Sequence, residues 1–280
     1  MDKRRSGQNR SMSAEITRFK EYLEDRELAQ NTVHAYVGSM QAFFLRHAVV
    51  SKENGVKWKN ELLSDGLRPK SVNVRLNAFN SYCTMIGMES EKVKTVRVHN
   101  ATAVSNVIST ADYQRLLSCL IEDGNQKWYF NIRLLAATGV RVSESVRLRK
   151  SDFDRGYAEM WTKGKIRRIY IPKSFRAEAK KYYKDFSPND FLLQNRYGAQ
   201  MSTRGISQML QHFATRYGID KKVMHPHSFR HLFALEFLKR NGNLSLLSDV
   251  MGHSSVSTTA IYTRMTREQQ QNAVDRTINW

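Results

Sequence analysis

The stretch HPHSFRHLFALEFLKRNGNLSLLSDVMGHSSVSTTAIYTR, residues 225–264, decides the reading of the chain. Pro226 suits a first helical turn, where a missing N–H costs nothing. Lys239, Arg240, Asn241 and Gly242 suit the other end, with cations on the negative pole of the helix dipole. Between them Phe229, Phe233 and Phe237 recur at helical spacing and are expected to pack on one side. His227 and Arg230, three residues apart, share a face, so an imidazole and a guanidinium aim at one place. A phosphate fits there, because the planar guanidinium fork can take two oxygens and the helix start adds partial positive charge. A second helix, LSLLSDVMG, stops at Gly252, and His253 follows at once. Ser257 can cap a short helix that presents Tyr262. His227 and His231 also have the i, i+4 spacing of zinc helices. The acidic base is missing and Arg230 lies between them, so no metal is expected.

Composition points the same way. The 280 residues suffice for one large or two ordinary domains. Lys and Arg number 45 against 26 Asp and Glu, a formal net charge of +19, which suggests a polyanionic partner such as nucleic acid. Residues 1–98 carry net +6 and residues 99–280 net +13, a distribution that suits a clamp better than a basic tail. Residues 1–10 lack apolar periodicity and are expected to form a flexible basic arm. Cys83 and Cys119 have no metal-type spacing and read as buried free thiols. No apolar run approaches membrane-spanning length and no signal peptide opens the chain, so a cytoplasmic, nucleoid-associated protein without membrane partners is expected.

Residues 11–98 read as a small helical bundle. Ile16, Phe19 and Leu23 form one stripe, and Val33, Tyr36, Val37, Met40, Phe43 and Phe44 a stronger one that Asn31 or Thr32 can cap. A helix around Trp58 ends at Gly66. Pro69 then opens another, with Val72, Leu76, Phe79, Cys83 and Ile86 on one face. Its opposite face carries Lys70, Asn73, Arg75 and Asn77, either a solvated surface or a DNA contact. Residues 89–109 have no helical period, and 99–109 are expected to link the domains. Residues 110–280 form the second domain, with Thr110 capping its first helix. That domain is mainly helical: one helix ends at Gly139 and VRVSESVRLRK begins the next. YAEMWTKGKIRRIYIP, residues 157–172, differs. Aromatic and β-branched residues flank Lys163-Gly164, and Ile169 and Ile171 alternate, so it reads as a β-hairpin turning near Gly164.

HPHSFRHLFA followed by DVMGHSSVSTTAIYTR resembles the C-terminal signature of tyrosine recombinases, the family of phage integrases and Xer-type resolvases: HxxR, then GH, then a tyrosine nine residues after that histidine. AATGVRVSESVRL resembles the family's first-arginine motif and places Arg141; TKGKIRRIYIP resembles its hairpin lysine motif and places Lys163. The turn is shortened, which leaves Lys165 as the alternative lysine, and Arg264 stands where many members have histidine. FKEYLEDRELAQNTVHAYVGSMQAFF resembles the family's core-binding domain, so the resemblance spans about residues 13–270. It implies a mainly α, two-domain architecture with a helical SAM-like core-binding domain and an α+β catalytic domain. It implies catalytic roles for Arg141, Lys163, His227, Arg230, His253 and Tyr262, with no metal or nucleotide cofactor. Tyr262 would cleave a DNA phosphodiester and hold it as a 3′-phosphotyrosine until religation. Partners would be double-stranded DNA with specific recombination sites, a homo-tetramer on that DNA, and accessory factors that the sequence does not identify. Integration, excision, inversion or resolution, as in a mobile element, would be the outcome. The tail REQQQNAVDRTINW, residues 267–280, is expected to dock on a neighbouring protomer. Two rivals remain: a type IB topoisomerase-like enzyme, and a DNA-binding regulator without catalysis.

Overall fold

The computed structural model describes residues 2–98, 106–162, 165–252, Thr259, Tyr262 and Asp275, with backbone alone for 2–12, Thr162 and Lys165. The chain divides into two compact units, Met1–Asn100 and Ala101–Trp280.

The first unit packs α1 (Asp2–Asp25), α2 (Gln30–Phe44), α3 (Lys52–Ser64) and α4 (Pro69–Met85) around one core. Ile16, Phe19 and Leu23 meet Val33, Met40 and Phe43, and Trp58, Leu62, Val72, Leu76 and Phe79 close the other side. The Phe43 ring lies 5.2 Å from Trp58, edge-on, and 5.0 Å from Phe79, spacings at which aromatic pairs attract beyond their area burial. The Ser51 side chain accepts from the Asn54 N–H and starts α3; Pro69 is the first residue of α4. Two expectations change. Residues 2–10 are not a flexible arm but the first turns of α1, since extending a formed helix costs far less than nucleating one. Asn31 and Thr32 lie inside α2, whose N-cap is Ala29 with no side-chain cap.

Beyond α4 the chain runs back extended. The Asn80 amide donates to the Val93 carbonyl at 2.9 Å and accepts from the Val93 N–H at 2.8 Å. Asn73 does the same for Val96, at 2.8 and 2.7 Å. Two amides seven residues apart on one helix thus imitate a neighbouring strand, and the Asn73 amide is engaged by backbone. Lys70 and Asn77 are exposed and Arg75 is half-buried.

The second unit comprises α5 (Thr110–Glu122), α6 (Gln126–Thr138), α7 (Val142–Ser145), α8 (Lys150–Arg155), β1 (Tyr157–Thr162), β2 (Lys165–Tyr170), α9 (Lys173–Ala179), α10 (Thr203–Arg216), α11 (Pro226–Asn241) and α12 (Leu244–Met251). The expected linker ends early. Ile108 is fully buried in this unit's core, and its N–H donates to the Ser228 hydroxyl at 2.7 Å. Ser109, not Thr110, caps α5 by accepting from the Asp112 N–H. β1 and β2 pair antiparallel from Tyr157↔Tyr170 to Thr162↔Lys165, which leaves a two-residue connection, 163–164, outside the described residues. The expected helix after Gly139 is one turn only, because Leu148 leaves it to accept from the Leu192 N–H. The three phenylalanines of α11 also separate. Phe229 enters the main core, whereas Phe233 and Phe237 pack with Ala234, Leu247, Met251 and Tyr262 in a second cluster.

Candidate active site

Gly139 closes α6 in the left-handed conformation, and two residues later Arg141 is the N-cap of α7. Glu144, on the first turn of α7, accepts from the Arg141 backbone N–H at 3.1 Å and from its Nη1 at 2.9 Å. The carboxylate is buried and has a second partner. Arg167 Nη1, reaching in from β2, donates to both Glu144 oxygens at 2.7 and 2.6 Å. Arg230 comes from the second turn of α11 and is 2 % exposed; its Nη1 donates to the Gly139 carbonyl at 2.6 Å. Two guanidinium groups therefore grip a single carboxylate, and the third, that of Arg230, lies near enough to feel its charge.

They also share one anchor. α12 ends at Gly252, left-handed at φ 60°, and leaves carbonyls without helical partners. Val250 O accepts from Arg167 Nη2 at 3.2 Å, Met251 O from Arg230 Nη2 at 2.7 Å, and Gly252 O from Arg141 Nη2 at 2.8 Å. Three successive carbonyls at the negative pole of a helix thus fix three arginines supplied by three other elements. Charge-assisted bonds of this kind contribute about 1.5–3 kcal/mol each.

The cations act on one another. Burial first, then Arg167 and Arg141, lower Arg230 to about 10, so it remains charged at neutral pH. Burial also lowers Arg167, against the pull of Glu144. The helix that carries Arg230 begins with His225, whose Nδ1 accepts from the Ser228 N–H at 3.1 Å. The His227 ring is exposed at the edge of the site, and desolvation of its inner part, with Arg230, His225 and Arg141 near, lowers its pKa. Tyr262 packs against the α11–α12 cluster. Its hydroxyl lies 2.6 Å from His231 Nδ1. Burial raises the phenol's pKa while the Arg230 charge pulls it down.

The structure thus brings together Arg141, Arg230, His227 and Tyr262. Lys163, His253, the Ser257 cap and all of the tail except Asp275 lie outside the described residues. Sequence reasoning missed two participants. Arg167 shares strand parity with the buried Ile169 and Ile171, and that parity was its signal. The sequence marks His231 only by its i, i+4 spacing from His227, the spacing of a zinc helix. Among the described residues no three His, Cys, Asp or Glu side chains are placed to hold a metal ion, and no helix is long and apolar enough to cross a membrane.

Cationic groups gathered around a tyrosine can hold a phosphodiester and stabilise the charge that builds as a phenol attacks it. Known proteins resemble the chain over most of its length. The phage integrase family profile matches residues 106–269, and the phage integrase N-terminal SAM-like domain matches residues 16–85. The tyrosine recombinase XerA of Pyrococcus furiosus is 27% identical over 271 residues, covering 93% of each chain. The tyrosine recombinase XerC of Oceanobacillus iheyensis is 28% identical over 287 residues, covering 92% of this chain and 93% of its own. The Tn1549 transposon integrase in complex with transposon right end DNA shares the fold at a TM-score of 0.73 and 17% identity, covering 95% of this chain and 99% of its own. A lambda integrase tetramer bound to a Holliday junction does so at 0.73 and 15%, covering 96% and 78%. The chain belongs to the phage integrase family and is a tyrosine site-specific recombinase.

Proposed function

We propose that the protein cleaves and rejoins double-stranded DNA at specific recombination sites through a covalent 3′-phosphotyrosine at Tyr262. The observation that carries this reading is the placement of the Tyr262 hydroxyl beside the helix that holds buried Arg230, itself tied with Arg141 to the end of α12. Arg141 and Arg230 hold the two non-bridging oxygens of the scissile phosphate. Glu144 and Arg167 keep Arg141 in place. Tyr262 attacks phosphorus, and the departing 5′ oxygen takes a proton from a lysine of the hairpin. His227 and His253 donate hydrogen bonds to the phosphate. The phosphotyrosine conserves the bond for religation, so the reaction needs neither nucleotide nor metal.

Lys163 is the lysine that the family motif places. A second reading has support from strand register: Lys165 pairs with Thr162 and shares strand parity with Arg167, which reaches the site. The expected effect of losing the general acid is a slowing of about 10²–10⁴-fold. A substrate with a sulfur leaving group, which needs no proton, restores the rate of whichever variant has lost that acid, Lys163→Ala or Lys165→Ala.

Likeness to XerA, XerC and the Tn1549 transposon integrase supports a role in integration, excision, inversion or resolution, in a nucleoid-associated protein, and likeness to the lambda integrase tetramer on a Holliday junction supports a tetramer on DNA. The test is adduct formation on nicked duplexes tiled across the DNA that flanks the gene. Wild type forms a denaturant-stable protein–DNA adduct at one sequence and Tyr262→Phe forms none. An adduct with Tyr262→Phe removes the tyrosine assignment. Relaxation of plasmid lacking any such sequence favours a topoisomerase, and binding without an adduct favours a regulator.

A further inference from the structure

We propose that His231 is the proton acceptor for the Tyr262 hydroxyl during strand cleavage, an inference that rests on Tyr262 being the nucleophile. Attack requires the phenol to lose its proton as the oxygen–phosphorus bond forms. Unaided, a phenol with a pKa near 10 is almost wholly protonated at neutral pH. Burial makes the Tyr262 hydroxyl less acidic still. An acceptor must therefore touch that oxygen, and His231 Nδ1 lies 2.6 Å from it, within the reach required of a general base. Arg141, Arg167 and Arg230 carry donors only. The His227 ring stands 5.3 Å from the His231 ring, edge to face.

His231 is held in the form that can accept. The groups that act on its charge are His227 and Arg230 of α11 and His225, the N-cap before that helix, with Tyr262 opposite. Burial and those three neighbours lower its pKa from 6.5 to about 4. Above that pH the imidazole is neutral, and in the Nε2–H tautomer Nδ1 has a free lone pair. An arriving phosphodiester brings negative charge beside Arg230, one of the cations that keep His231 a weak base. Substrate binding thus strengthens the base when it is needed.

The step balances. The Tyr262 O–H bond breaks and its proton passes to His231 Nδ1. The phenolic oxygen bonds to phosphorus, the bond to the 5′ oxygen breaks, and that oxygen is protonated by the general acid. Religation runs the same transfers backwards, with His231 returning the proton to the phenol.

The test uses the full chain and a nicked duplex carrying its mapped cleavage site. His231→Asn keeps an acceptor near the position of Nδ1 but cannot take a proton; His231→Gln serves the same purpose if the first variant binds DNA poorly. Half-site affinity should stay within about threefold of wild type. Adduct formation at pH 7 should fall by about 10²–10⁴-fold. The variant's rate should then rise about tenfold per pH unit between pH 7 and 9, because attack must wait for the phenol to ionise in solution. Wild type should show a much shallower rise. A variant that cleaves at the wild-type rate, or is slowed by one constant factor at every pH, overturns the inference. An adduct formed by Tyr262→Phe under the same conditions sinks the nucleophile assignment instead, which keeps the two failures apart.

Discussion

At Gly252 the backbone turns left-handed, and a Cβ there would overlap the Arg167 side chain at Cδ and Nε. Gly252→Ala is thus expected to displace Arg167 and loosen the carbonyls that hold Arg141 and Arg230, at about 1–3 kcal/mol for the backbone alone. Adduct formation should drop while half-site binding persists, as a denaturing gel beside a gel-shift would show. Arg141→Lys and Arg230→Lys keep the charge but lose the fork, and each should slow cleavage by about 10²–10³-fold with DNA affinity nearly unchanged. His231 sets a pH dependence of stability. Its folded pKa, about 4, lies below the usual 6.5, so the unfolded chain binds the extra proton between those values. Stability from this residue is complete above pH 6.5 and is lost as pH falls toward 4. Melting curves of wild type should shift down over that interval by on the order of 5 °C more than those of His231→Asn. That Arg141, His227, Arg230 and Tyr262 would come near one another could be anticipated because their spacing repeats a family signature. The carbonyls of Val250, Met251 and Gly252 were not, since any residue offers a carbonyl and only the end of a helix makes one available.

Among the elements, α4 and the chain that follows it give the sharpest example of a side chain doing the work of a strand. Asn80 makes two hydrogen bonds to Val93, worth roughly 0.5–1.5 kcal/mol each, so Asn80→Ala should cost roughly 1–3 kcal/mol of the first unit's stability. Hydrogen exchange at Val93 and Val96 would report the release of the segment, and unchanged protection would contradict the hook. Nearby, a Cβ on Gly55 would lie 2.6 Å from Val93 Cγ2 and 2.8 Å from the Phe79 ring, so Gly55→Ala should destabilise the same region. The helix opened by Pro69, the hairpin around 163–164 and the stops at Gly139 and Gly252 could be read from sequence because each has a local cause: a fixed φ, strand alternation or a left-handed residue. Caps were read less well. Ser109 lies beside Thr110, and both hydroxyls can cap, so a one-residue choice turned on backbone geometry. Residues 106–109 looked like linker because they lack a helical period, yet an extended chain can still bury one side chain, as Ile108 does.

On the scale of the whole molecule, the positive charge is shared by both units, and DNA binding should be steeply salt-dependent. Each phosphate neutralised adds about 0.9 to the slope of log K against log salt, so a magnitude of roughly 5 or more is expected from a gel-shift series. A slope near zero would contradict binding by two basic halves. The division into a helical unit and a catalytic unit was visible in the sequence, because apolar stripes stop before residue 89 and resume after 110. The candidate site lies in the second unit, where cations from three stretches of chain gather near one carboxylate and one tyrosine. The central claim is that this tyrosine carries the DNA. Its most direct test is to trap the wild-type adduct on a nicked duplex, digest the protein and the DNA, and identify the peptide that bears the residual nucleotide by mass spectrometry. The account predicts a nucleotide joined through its 3′ phosphate to the peptide containing Tyr262. A nucleotide on any other residue, or an adduct joined through a 5′ phosphate, would contradict it.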